Sequence, residues 1–175
     1  MNSHTHCKGR PYGGIAIMWK NIYNDYVECL ETNFHNIQIV KMKTLHGTII
    51  LVNAYFPNNN NDNDTKISEY ISRLIFIWEV NSEATDIVCG DFNLSPKSMK
   101  YRELHDVCKD SNLVKFDVQR LKEDSYTFVS DINHSMTWID YFIINKNLLS
   151  YINYCNIDYH IIIGLLWCVC VHGIS

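Results

Sequence analysis

Apolar residues in this chain fall into short runs broken by polar residues, with one long stripe at helical spacing. Ile15 to Trp19 follows Gly13-Gly14 and reads as a turn feeding a buried strand. Tyr26 to Leu30 and Ile37 to Met42 suggest two more strands, and Leu45-His46-Gly47 suggests a hairpin turn into another, Thr48 to Tyr55. The first third is therefore expected to be an antiparallel meander. Pro57 ends the last of these strands, and Asn58 to Asp64 is made of Asn and Asp throughout, a solvated loop. Asp64 can cap a helix whose Ile67, Tyr70, Ile71, Leu74, Ile77 and Trp78 form a core-facing stripe.

That helix delivers the chain to Ile87-Val88-Cys89, a run too short and too β-branched for a second helix. A strand-helix-strand crossover places the two strands parallel, so the sheet is expected to be mixed. Gly90 then permits a turn or a close approach, and Asp91-Phe92-Asn93 follow. If the strand continues through Asn93, Asp91 and Asn93 point to one side and Phe92 turns into the core. A strand running into an Asx turn accounts for the same residues.

Ser95-Pro96-Lys97-Ser98 opens a second amphipathic helix with Tyr101, Leu104, Val107 and Cys108 inward. Lys97, Lys100 and Arg102 there either meet a phosphate backbone or form a solvated helix face. Tyr126 to Val129 and Thr137 to Ile144 read as the last strands. Asp140 lies in the second of them. A carboxylate in an apolar strand is costly to bury without a partner, so it is either bonded to a loop or functional.

Length and composition narrow the class. A chain of 175 residues, 47% apolar and 13% aromatic, can bury a substantial core as one domain. Net charge −4 gives no global attraction to nucleic acid, so polyanion binding needs local basic residues or a bound cation. The seven scattered cysteines, with no C-x-x-C pair, read as buried intracellular thiols rather than disulfides or a zinc site. His4-Thr5-His6-Cys7 reads as part of a disordered leader. Ile161 to Val171 is apolar throughout, but its eleven residues fall short of the about 20 a membrane span needs.

Three segments in order, Asn53-Ala54-Tyr55-Phe56-Pro57-Asn58, Gly90-Asp91-Phe92-Asn93 and Ser135 to Ile143, resemble the endonuclease/exonuclease/phosphatase superfamily. Gly9 to Lys20 and Ser135 to Asp140 look most like endonuclease domains of LINE-type non-LTR retrotransposons. The resemblance implies a deoxyribonuclease I-like α/β sandwich, two packed mixed sheets flanked by helices and incomplete at the N-terminus. It also implies a leader over 1–8, a partial domain over 9–160 and a divergent apolar tail over 161–175.

The function implied is metal-dependent phosphodiester hydrolysis, with DNA as the ancestral substrate and magnesium as the divalent cofactor. By the same resemblance Asp91 positions and activates the attacking water, Asn93 holds the phosphate and Asp91 in register, and Tyr55 lines the phosphate pocket. Asp140 orients a catalytic histidine, for which His160 in Asp158-Tyr159-His160 is the nearest candidate. Asn58 contacts the substrate backbone, and Asn53 either does so or supports the strand end. No metal-ligand residue is assigned, because the family's Gln-Glu pair and the first-strand asparagine that assists it have no counterpart; the closing Ser-Asp-His motif, which supplies the family's catalytic histidine, is matched poorly by Asp158-Tyr159-His160. The expectations are a monomer inside the cell, without a membrane span, and a truncated domain with little or no catalysis. Two alternatives stay open: a non-DNA phosphoester substrate, and a catalytically inactive remnant or binding module.

Overall fold

The computed structural model describes residues 15–130, 132–152, 155 and 157. Its strands are β1 (Val27–Leu30), β2 (Ile37–Thr44), β3 (Gly47–Tyr55), β4 (Thr85–Asp91), β5 (Leu113–Lys115), β6 (Phe128–Val129), β7 (Met136–Thr137) and β8 (Asp140–Asn145). The helices are α1 (Asp64–Val80), α2 (Met99–Asp110) and α3 (Phe116–Arg120). Six strands form one mixed sheet in the order β1-β2-β3-β4-β8-β5, and β6 and β7 pair as a second, two-stranded sheet.

Alternation along the strands divides the large sheet into two faces. Ile50, Val52 and Ala54 of β3, Val88 of β4 and Ile143 of β8 pack with Ile67, Ile71 and Leu74 of α1 and Leu104 and Cys108 of α2. The opposite face carries Ile49, Ile87, Phe142 and Ile144, joined by Val114, Phe116 and Ile152. One register row on this second face crosses all the strands of the sheet, through Cys29, Val40, Leu51, Ile87, Ile144 and Val114.

The connections follow from local chemistry. Gly47, at φ 129°, closes the β2-β3 hairpin in a conformation that L side chains rarely adopt. β3 and β4 run parallel because α1 carries the chain back between them, as the crossover pattern predicts. Ser98 caps α2 through its hydroxyl, which accepts from the Tyr101 amide at 3.1 Å. No helix among the described residues is long and apolar enough to cross a membrane.

Several sequence expectations need correction. Ile15 to Trp19 forms no strand and leads into a 3-10 helix, Asn21–Tyr26, with Met18 81% exposed. No described strand pairs with it. Instead the Asn53 carboxamide donates to the Ala16 carbonyl at 3.1 Å. The strand at Tyr26 begins one residue later, and Asp64 is the first residue of α1 rather than its cap, which is Asn63.

The expected strand from Tyr126 shrinks to Phe128–Val129. The continuous strand Thr137 to Ile144 is broken at Trp138-Ile139, which leaves Asp140 at the start of β8. There the amides of Ile139 and Asp140 donate to the Thr127 hydroxyl at 3.0 and 3.2 Å. Of the thiols, Cys108 is buried, Cys89 and Cys155 are half-buried and Cys29 is exposed on the edge strand; all four are free. The leader, Gly9 to Gly14, Asp158-Tyr159-His160 and the 161–175 tail lie outside the described residues.

Candidate active site

The ends of β3, β4 and β8 meet at one level of the sheet. Tyr55 is the register partner of Asp91, and Asp91 is the partner of Asp140. Partners in a ladder project to the same side, so all three stand on the face away from α1 and α2. Beside them opens a cleft of about 400 Å3 lined by Tyr55, Asn58, Asp91, Asn93, Phe128, Thr137 and Ile139. The sheet supplies one wall. The two-stranded β6-β7 unit supplies the other.

The backbone under Asp91 is pinned on both sides. Its carbonyl accepts from the Phe56 amide at 2.8 Å, and the next amide, of Phe92, donates to the Ile139 carbonyl at 2.9 Å. Phe92 is fully buried between Phe56 and Tyr141, with ring centroids 4.8 and 5.7 Å away. Gly90 lets β4 lie close against β3 just before this point: a Cβ built there would lie 1.9 Å from the Ala54 carbonyl oxygen, and its φ is 139°.

The strand does not persist to Asn93. It ends at Asp91, whose Oδ1 accepts the Asn93 amide at 2.9 Å, so the Asx turn is the local structure. Asn93 takes φ 51°, a left-handed conformation that asparagine tolerates, and its carboxamide donates to the Phe56 carbonyl at 2.9 Å. The turn still brings Asn93 to the cleft beside Asp91. Burial pushes the Asp91 carboxyl up to about 6, against the opposing pull of its bonds from Asn93.

No family model and no curated protein sequence matches the chain. Solved structures do. The endonuclease domain of TRAS1, a telomere-specific non-LTR retrotransposon, aligns at TM-score 0.61 and 16% identity, covering 78% of this chain and 62% of that domain. TDP2 from D. rerio, complexed with single-strand DNA product, aligns at TM-score 0.52 and 15% identity, covering 69% of this chain and 54% of that one. The fold is that of the endonuclease/exonuclease/phosphatase proteins. The chain spans less than two thirds of the length of either structure.

Within this endonuclease/exonuclease/phosphatase fold the residues singled out from sequence separate into groups. Tyr55, Asn58, Asp91 and Asn93 line one cleft. Asp140 adjoins it from the neighbouring strand and is itself 1% exposed. Tyr55, Asp91 and Asp140 all come from one sheet. Asn53 points to the same face two residues before Tyr55, but its carboxamide holds Ala16 and it does not line the cleft. His160 lies outside the described residues.

Lys100 does not face the cleft as a free cation. Its ammonium donates to Ser68 of α1 at 2.6 Å and to Glu103 at 2.9 Å, tying the two helices on the far side of the sheet.

A magnesium ion prefers oxygen ligands that include one or two anchoring carboxylates. Among the described residues no three of His, Cys, Asp and Glu gather closely enough to hold a metal. Among the described residues Asp91 is the single carboxylate lining the cleft, and Asp140 is buried beside it. These residues alone do not fit the cofactor that the fold implies.

Thr127, Trp138 and Asp117 join the site without having been singled out from sequence. Asp117 carries the same signal as Asp140, a carboxylate next to an apolar run, here Leu113-Val114-Lys115-Phe116. It is fully buried, and burial pushes it up to about 7. Trp138 immediately precedes the Ile139-Asp140 pair and donates its indole N–H to the Asp140 carbonyl at 2.7 Å.

Proposed function

We propose that the cleft cleaves phosphodiesters and that DNA is its substrate. The observation that carries this reading is the row Tyr55, Asp91, Asp140, of which Tyr55 and Asp91 line a cleft together with Asn58 and Asn93 while Asp140 is buried beside it. Hydrolysis needs a group that takes a proton from water as the water oxygen attacks phosphorus. Asp91 suits that role. Its pKa near 6 leaves it ionised at neutral pH yet more basic than an ordinary aspartate.

Asn93 holds that carboxylate in place through its backbone amide, while one hydrogen of its side chain is committed to Phe56. Tyr55 and Asn58 offer a hydroxyl and a carboxamide at the cleft wall, groups able to donate to nonbridging phosphate oxygens. Phe128, 43% exposed, offers an aromatic surface across from them. The LINE-type ancestry suggested by the sequence motifs is supported by the likeness to the TRAS1 domain and belongs to this proposal.

A supercoiled-plasmid nicking assay in the presence of magnesium or manganese tests the reading. The expected result is nicking that disappears in Asp91→Ala, with any divalent ion drawing ligands from beyond the described residues or from the DNA phosphates. Nicking that survives the substitution would move the chemistry elsewhere. No nicking by the parent chain under any divalent ion, while it still binds DNA, would leave a binding module instead.

A further inference from the structure

Asp117 is a buried carboxylate that the proposed chemistry does not use, and its placement is specific. It sits in α3, packed against β8, and its Oδ2 accepts the Trp138 indole N–H at 3.2 Å. The same N–H reaches the Asp140 carbonyl at 2.7 Å. One donor therefore bridges the Asp117 side chain and the Asp140 backbone.

This bridge sits where ordinary sheet bonding fails. Between β7 and β8 the chain leaves the ladder for two residues, Trp138 and Ile139. Side chains take over there: Thr127 accepts the amides of Ile139 and Asp140, and Trp138 grips the Asp140 carbonyl. Asp140 is thus held at both its backbone donor and its acceptor, directly opposite Asp91. The indole already has an acceptor without Asp117. A buried carboxylate is costly, and as a mere filler it would be inferior to an apolar residue. What it adds is direction, since a shared N–H fixes the plane of the indole between two oxygens.

We propose that Asp117 is a positioning residue for the site, acting through Trp138 to set Asp140 against Asp91. This rests on the phosphodiesterase reading only for its catalytic consequence; the geometric consequence stands without it. The backbone of Phe142 and Val118 and the Trp138 indole draw the Asp117 pKa back down against burial.

The test uses the full chain with Asp117→Asn, Asp117→Ala and Trp138→Phe. Two NMR readouts do not depend on activity: the Trp138 indole N–H resonance and the carboxyl titration of Asp91. In Asp117→Ala the indole resonance should move and the Asp91 midpoint should shift by about half a pH unit or more. Asp117→Asn, which keeps an acceptor oxygen, should restore most of both. Trp138→Phe should shift Asp91 in the same direction, and adding Asp117→Ala to it should produce no further shift, as expected for residues acting in series. If the parent nicks DNA, kcat in Asp117→Ala should fall about 10–100-fold with KM little changed.

An Asp91 titration unchanged in both Asp117→Ala and Trp138→Phe would overturn the proposal. Additive shifts in the double variant would also overturn it. If Asp117→Ala fails to fold, Trp138→Phe and Asp117→Asn still decide, since retention of the parent Asp91 midpoint in Trp138→Phe would refute the relay. Loss of all nicking in the parent would refute the phosphodiesterase reading and leave the titrations to judge the positioning role.

Discussion

Asp91 and Asp140 are register partners on antiparallel neighbours, so their Cα atoms face each other at the about 4.5–5.5 Å spacing of such pairs. Two acids side by side at a strand end do not serve the sheet, since like charges directly opposite destabilise a ladder. The pair stands at the edge of the cleft. Asp91 lines it and Asp140 lies buried next to it.

The first prediction concerns pH. If Asp91 is the base, cleavage should rise as pH passes through about 6 and level off above it, because only the ionised carboxylate accepts a proton. A pH-rate profile on the plasmid substrate checks this. A rising limb near 4 would mean that burial does not tune the working group.

Gly90 should tolerate no side chain. In Gly90→Ala the new Cβ meets the Ala54 carbonyl oxygen at 1.9 Å and the residue keeps an unfavourable φ of 139°. Overpacking and strain together should cost about 3 kcal/mol or more. Urea unfolding would measure the loss, and a cost near zero would show that β3 and β4 can separate freely.

Asp86 should make stability depend on pH. It is 6% exposed at the start of β4, and burial raises its pKa from 3.8 to about 7. A raised acid pKa means that the folded state holds its proton more tightly than the unfolded chain does. Stability from this group is therefore fully present below about 4 and is lost as pH rises towards 7. Asp86→Asn should flatten the fall in Tm between pH 4 and pH 7, measured by thermal denaturation at several pH values. The remaining slope belongs to Asp91 and Asp117, which are raised in the same direction.

Lys100 should matter for helix packing and not for DNA. Its bonds to Ser68 and Glu103 link α2 to α1. Lys100→Ala should lower stability by about 1 kcal/mol and leave the salt dependence of DNA binding unchanged. A salt slope reduced by about one would return Lys100 to the phosphate contacts.

The elements written as strong periodic patterns were legible in the sequence. The stripe of α1, the β2-β3 hairpin and the parallel β3-β4 pair follow from residue spacing, and the endonuclease/exonuclease/phosphatase resemblance pointed to the observed fold. Three short motifs carried the candidate residues Tyr55, Asp91 and Asp140, now found in one row. What escaped was set by contacts distant in sequence. Apolar composition alone suggested a strand at Ile15 to Trp19, but a strand needs a neighbour to bond with. The break at Trp138-Ile139 depends on a hydroxyl from Thr127, and no periodicity can announce that partner. Asp117 was visible as a carboxylate beside an apolar run, yet its bond to Trp138 crosses 21 positions.

The order of strands in the sheet also dictates when the site can exist during folding. β8 lies between β4 and β5 although it is later in the chain than both. The pairing of Tyr55 with Asp91 needs only the crossover through α1, whereas Asp140 must close a loop from β4 of about 50 residues, at a higher entropic cost. β5 has no neighbour in the sheet until β8 arrives between it and β4. A nascent molecule without β8 therefore carries Tyr55 and Asp91 on a partial sheet with an open edge at β4. Acquisition of Asp140 and burial of that edge are then a single event, so the molecule cannot complete its acidic pair without also completing its sheet.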